Sequence, residues 1–190
     1  SENKPMLLVG TQMVAKGHNF LGLSDVVIMD TDHALYATDY RALERWGQTV
    51  LQVAGRCGRA GQEGRVWIQT HIPHHPAVSL MTQKVYFDFL EHTQQYRKEG
   101  LWPPFSYVAK INYQHQIQTK LKDYLGHMCM LLTDIIEVIG PVIPAIKKKK
   151  GWYQGYLLLR TQDRDQLFKA CQLMSQYEVA VEVDPQELDN

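Results

Sequence analysis

The chain has 190 residues, 45% of them hydrophobic, and its twenty Lys and Arg balance twenty Asp and Glu. That length accommodates one large or two ordinary domains with apolar cores. The zero net charge excludes a globally basic nucleic-acid binder, so any such contact must come from local patches. Cys57, Cys129 and Cys171 lie far apart, with neither zinc-type CxxC spacing nor a disulfide framework, and fit a reducing cytoplasm. No apolar run approaches the roughly 20 residues of a membrane span, and Ser1-Glu2-Asn3-Lys4 begins no signal peptide. The first residue is not Met and an apolar run follows almost at once, which reads as a piece of something longer.

Met6-Leu7-Leu8-Val9, ending at Gly10, predicts a buried parallel strand. The glycine-punctuated segment Thr11 to Phe20 then falls at the carboxyl edge of a sheet, where open α/β folds bind ligands. Asp25 to Asp30 is the next predicted strand. Leu35 to Leu51 carries Leu43, Trp46 and Val50 at helical spacing, with Thr38 or Asp39 as its N-cap. Gly64 to Thr70 is a third strand. This alternation predicts a parallel sheet covered by helices.

The helix delivers Gln52-Val53-Ala54-Gly55-Arg56-Cys57-Gly58-Arg59-Ala60-Gly61 at its end. A guanidinium is a permanently charged, rigid fork of donors, and small neighbours let phosphate oxygens approach it closely. The alternative is a solvated arginine pair closing a surface helix, where cations suit the macrodipole and glycine stops the helix.

Farther on, His75 to Glu99 reads as one long amphipathic helix with Val78, Met81, Val85, Phe89 and Tyr96 on one face. Tyr86, Phe87 and Phe89 could stack bases, but at helical spacing core packing is the preferred use. Trp102-Pro103-Pro104 breaks the chain, and the domain boundary is placed there: 1–101 and 102–190. Phe105 to Tyr113 is a strand, and Ile117 to Val138 a helix. Val138 to Ile146 and Trp152 to Arg160 form a hairpin with the basic tip Lys147-Lys148-Lys149-Lys150-Gly151. Asp163 caps a last helix, and Val179 to Asp184 closes as a strand. The order is β-α-β-β-α-β, the split βαβ or ferredoxin-like pattern. The four lysines, with Trp152, Tyr153 and Tyr156 nearby, suit single-stranded nucleic acid, since cations neutralise phosphate and aromatics stack bases; the alternative is a tip whose lysines only discourage edge pairing. His71, His74 and His75 have no metal-ligand spacing and read as loop histidines.

Gly10-Thr11-Gln12-Met13-x-Ala15-Lys16-Gly17-His18-x-Phe20 resembles motif V of superfamily 2 helicases, and Gln52 to Gly61 resembles their motif VI. With Asp30-x-Asp32 and Tyr40-Arg41-x-x-Glu44-Arg45, the set is similar to the PriA (primosomal protein N-prime) family of bacterial replication-restart helicases. The resemblance implies the second RecA-like lobe of an ATP-dependent 3′-to-5′ DNA helicase followed by a ferredoxin-like C-terminal domain. It implies Arg56 and Arg59 as arginine fingers on the γ-phosphate with Gln52 beside them, and Thr11 and Gln12 on the DNA backbone. Lys16, Gly17 and Gly55 would serve the nucleotide side, as would Asn19 in place of the usual Asp. It also implies ATP with Mg²⁺, partners in forked and single-stranded DNA, the single-strand DNA-binding protein and primosome proteins, and a cytoplasmic, nucleoid-associated monomer with no membrane contact. The chain contains no Gly-x-x-x-x-Gly-Lys-[Ser/Thr] loop, no Asp-Glu-x-His motif and none of the family's zinc cysteines. By itself it is therefore expected to be inactive as an ATPase and to hold no metal. Another superfamily 2 translocase and a noncatalytic nucleic-acid-binding module are the competing readings.

Overall fold

The computed structural model describes residues 6–10, 23–57, 64–144, 148 and 150–188. The chain divides into two compact units, Ser1–Thr93 and Gln94–Asn190.

In the first unit β1 (Asp25–Ile28) and β2 (Arg65–Ile68) pair in parallel, with Asp25 opposite Arg65 and Ile28 opposite Ile68. Asp25 anchors the start of the pair by accepting from Trp67 Nε1 at 3.1 Å and pairing with Arg65 Nε at 2.9 Å. Between the strands come α1 (Asp32–Leu35) and α2 (Ala42–Ala54). α3 (Pro76–Thr82) and α4 (Tyr86–Glu99) follow β2. Trp46 and Val50 of α2, Ala77, Val78 and Met81 of α3, and Phe89 of α4 form one buried cluster.

Three expectations for this unit are corrected. Met6 to Val9 is not a buried strand: among the described residues it pairs with no strand, and Met6 and Val9 are 82% and 83% exposed. An apolar run becomes a core strand only with a hydrogen-bonding neighbour and covered faces, and among the described residues the parallel sheet has two strands, neither paired with this run. The helix expected from Leu35 starts at Ala42 instead. The Asp39 carboxylate, buried, accepts from Arg41 N at 2.9 Å and pairs with Arg45, so it holds the turn before the helix. The long helix expected from His75 to Glu99 is two helices, because Lys84 takes a left-handed φ of 60° and closes α3, with Val85 N donating to Leu80 O at 3.2 Å.

In the second unit the elements run β3 (Tyr107–His115), α5 (Gln118–Thr133), β4 (Glu137–Val142), β5 (Tyr153–Thr161), α6 (Arg164–Met174) and β6 (Ala180–Val183). The order is therefore β-α-β-β-α-β. The sheet order is β4-β5-β3-β6, antiparallel throughout. The β3–β5 ladder runs from Tyr107 opposite Thr161 to His115 opposite Tyr153. Strand alternation sends Ala109, Ile111, Leu157 and Leu159 to one face, where they pack with Leu121, Leu125, Met128 and Leu132 of α5 and Leu167, Ala170 and Met174 of α6. Asp163 caps α6, accepting from Asp165 N at 2.8 Å and Gln166 N at 3.3 Å.

The helix expected to reach Val138 stops at Thr133, with Ile135 N and Ile136 N both donating to Leu132 O. The β-branched run beyond it suits a strand and pairs with β5, Glu137 opposite Arg160. β4 shifts register between Ile139 and Val142. Gly140 makes that possible, with φ +123° and a Cβ position only 3.0 Å from Val142 N.

Gly47 of α2 sits against the Phe89 ring, and a Cβ there would lie 2.4 Å from Phe89 Cε1. Alanine is worth about 1 kcal/mol over glycine in a helix, but the forced overlap costs about 1–3 kcal/mol. Gly47→Ala is therefore expected to lower the melting temperature measured by circular dichroism, and Phe89→Leu in the same chain to cost less than it does alone. A rise in melting temperature for Gly47→Ala would contradict this packing.

Candidate functional site

The first candidate region is the end of α2. Gly55 N donates to Leu51 O at 2.9 Å, Arg56 N to Val53 O at 2.9 Å and Cys57 N to Ala54 O at 3.2 Å, so the last turn is closed by its own backbone. Gln52 and Gly55 are exposed and Arg56 is half-buried. A guanidinium at this end meets the negative end of the helix dipole. Gly55 has φ −67°, ordinary right-handed geometry, and a Cβ would meet nothing closer than Leu51 O at 3.5 Å. The Cys57 thiol, beside Arg56, is raised above its usual pKa by burial and then by the charge of Asp25. Thr11, Gln12, Lys16, Gly17, Asn19 and Arg59 lie outside the described residues.

Two polar clusters frame this region: one holds Asp39, read from the sequence as a candidate N-cap, and the other was given no role there. The Asp39–Arg45 pair fixes the start of α2. At the carboxyl ends of β1 and β2, Asp32 accepts from the Thr70 hydroxyl, from His71 N at 3.0 Å, and lies 2.6 Å from His71 Nδ1. Its carboxyl is held below the usual pKa, chiefly by the Thr70 hydroxyl and then by the His71 amide. Asp32 and Tyr40 to Arg45 stood out in the sequence; Arg45 finds Asp39 six residues away, whereas the partners of Asp32, Thr70 and His71, lie 38 and 39 positions away, beyond any local spacing.

The second candidate region is the turn between β4 and β5. Lys148 and Lys150 are exposed, and Lys148 Nζ sits 4.9 Å from the centre of the Tyr153 ring. Lys150 and Gly151 both have left-handed φ, 52° and 89°. Trp152 is 38% exposed. Lys147 and Lys149 lie outside the described residues. Tyr156, expected near this tip as a stacking residue, is instead buried, with Lys110 Nζ 4.5 Å from its ring centre. Three residues along a strand from Tyr153 it is on the opposite face of the sheet.

Of the α4 aromatics, Phe89 is fully buried and Tyr86 stacks on it at 5.9 Å, while Phe87 is exposed. His75 caps α3 through Nδ1, which accepts from Ala77 N at 3.2 Å, and its pKa is lowered by burial and then by His92. Among the described residues no group of three or more His, Cys, Asp and Glu could hold a metal ion, and no helix is long and apolar enough to cross a membrane.

Comparison with known proteins matches residues 98–186 to the primosomal protein N C-terminal domain. The chain is similar to the replication restart proteins PriA of Haemophilus influenzae (35% identical over 98% of the chain), Bacillus subtilis (31% over 87%) and Treponema pallidum (35% over 81%). It spans 27%, 21% and 24% of those relatives' lengths.

The Asp32 cluster predicts a pH dependence. A carboxyl whose pKa is depressed on folding stabilises the fold above its unfolded value, about 3.9, and loses that contribution as pH falls through the folded value. Asp32→Asn is therefore expected to lower the melting temperature at neutral pH, with the gap to the parent closing below about pH 4. A gap unchanged down to about pH 2 would show that Asp32 does not act through its charge.

Proposed function

The chain belongs to the PriA family of replication restart proteins, and from that premise we propose that it is the part of an ATP-dependent 3′-to-5′ DNA helicase that completes the nucleotide site in trans. Its first unit acts as the second RecA-like lobe. Arg56 and Arg59 stabilise the charge that develops on the γ-phosphate during transfer, and Gln52 orients the same groups. Lys16, Gly17 and Asn19 face the nucleotide, and Thr11 and Gln12 hold the phosphate backbone of single-stranded DNA, coupling the two ligands. ATP and Mg²⁺ are held mainly by a phosphate-loop lobe elsewhere in the longer protein.

The observation that carries this reading is Gly55. A glycine in a helical turn costs about 1 kcal/mol relative to alanine, and the right-handed backbone of this one, φ −67°, does not require it. Having no side chain, it adds no bulk of its own beside Arg56, where a phosphate would approach.

The second unit, which we read as ferredoxin-like, a reading its β-α-β-β-α-β order supports, binds DNA through the β4–β5 tip. Lys147 to Lys150 neutralise phosphates, and Trp152 offers a ring to a base. Forked DNA, the single-strand DNA-binding protein and primosome proteins are the partners this reading implies, for a cytoplasmic, nucleoid-associated monomer.

In the full-length protein, Arg56→Ala is expected to cut DNA-stimulated ATP turnover by about 10³-fold or more while leaving nucleotide binding nearly intact. The isolated chain is expected to show no turnover. Wild-type turnover by Arg56→Ala, or magnesium-dependent turnover by the chain alone, would overturn the trans-site assignment. Replacing Lys147 to Lys150 by Ala is expected to flatten the salt dependence of oligonucleotide binding, lowering the slope of log affinity against log salt by about 0.7 per lost single-strand phosphate contact. An unchanged slope would remove the tip from the interface.

A further inference from the structure

Lys110 is a charged side chain in the middle of the four-stranded sheet, only 4% exposed. Burying an ammonium is costly unless its donors are satisfied. Here Nζ donates to Leu188 O at 2.7 Å, lies 3.4 Å from Glu187 O, and faces the Tyr156 ring. Both oxygens belong to a segment, residues 184–188, that leaves β6 without secondary structure. Asp184 N donates to Val108 O at 3.0 Å, and Leu188 is buried. Among the described residues no carboxylate pairs with this ammonium. It is held by main-chain carbonyls and a π face, contacts that other ligands can replace.

The residues around it form a consistent set. Register and alternation place Val108, Lys110, Asn112 and Gln114 of β3 on one face with Arg160, Leu158, Tyr156 and Gln154 of β5. This face is the one opposite the α5 and α6 core. Gln114 and Gln154 are exposed, Asn112 is half-buried, and Trp152 continues the same alternation at the start of β5. The β-sheet of single-strand readers presents this chemistry: aromatic rings for stacking, amides for base edges and a cation for phosphate.

We infer that this sheet face is a binding track for single-stranded nucleic acid that begins at Trp152, and that segment 184–188 occupies its inner end in place of the ligand. The inference rests on the proposal that the tip binds DNA and extends the site to Gln154, Asn112, Tyr156 and Lys110. When segment 184–188 leaves, the ammonium exchanges two carbonyls for phosphate oxygens, and the Tyr156 ring becomes available to a base.

The test is fluorescence anisotropy with an end-labelled single-stranded oligothymidylate, using the intact chain, a variant lacking residues 185–190, and Leu188→Gly, which weakens the segment's apolar anchor and covers the possibility that the deletion unfolds. Deletion is expected to tighten binding about fivefold or more, the lower end of what one stacked base contributes. Leu188→Gly should shift affinity the same way by a smaller factor, and Lys110→Gln or Tyr156→Leu in the deleted chain should abolish the gain. If the intact chain binds through Lys147 to Lys150 but neither the deletion nor Leu188→Gly binds more tightly, the track is wrong and the tip stands. If binding is tightened without dependence on Lys110 and Tyr156, the track is likewise wrong. If no form binds the oligonucleotide, both the tip and the track are overturned.

Discussion

The first unit depends on the contact between Gly47 and Phe89. Helix α2 carries Gln52 and leads at its end into Gly55 and Arg56, and its position is set where the Phe89 ring enters the space that Gly47 leaves open. Trp46, adjacent in sequence, meets the same ring at 6.1 Å, and Tyr86 stacks on it from the other direction. With a two-stranded sheet beneath it, the helix gains its fixed position from this aromatic cluster and from the Asp39–Arg45 pair at its other end. The geometry of Arg56 follows from packing about two to three turns away.

The second unit solves a different problem with a nine-residue antiparallel ladder. One sheet face is apolar and sealed by α5 and α6, and its stability needs little else. The other face holds charged and polar groups that must each find partners. Arg160 shows how: it pairs with Glu137 across β4 and β5, Nε to Oε2 at 2.8 Å, and its guanidinium lies over the Trp102 ring at 4.9 Å. The hydrogen bonds from Arg160 hold the Glu137 carboxyl below its usual pKa. Lys110 is the counterpart at the sheet centre, satisfied by the backbone of residues 187 and 188. A face built from exchangeable polar contacts is suited to binding in a way that the sealed face is not.

How much of this was legible in the sequence varies with the range of the determining contact. Period-2 alternation located β3 and β5, and Asp163 marked the start of α6, because strand faces and helix caps are local. The division of the 75–99 helical stretch at Lys84 was hidden, since lysine carries no turn signal and its left-handed backbone is imposed by packing on both sides. Met6 to Val9 looked like a core strand because apolar runs do, and nothing in four residues states whether a sheet is there to receive them. At the candidate sites, Gln52 to Arg56 and the lysine tip were readable as motifs. The Asp32–Thr70–His71 cluster and the Lys110 contact were not, for they join residues 38 to 78 positions apart.

The central claim is that this chain presents Arg56 to a phosphate held by another lobe. It is tested most directly by a crystal structure of the full-length protein with ADP, Mg²⁺ and an aluminium fluoride mimic of the transferring phosphoryl group. The account predicts the Arg56 guanidinium within hydrogen-bond distance, about 3 Å, of the mimic. A guanidinium turned back onto a carboxylate of its own unit, with no contact to the mimic, would contradict it.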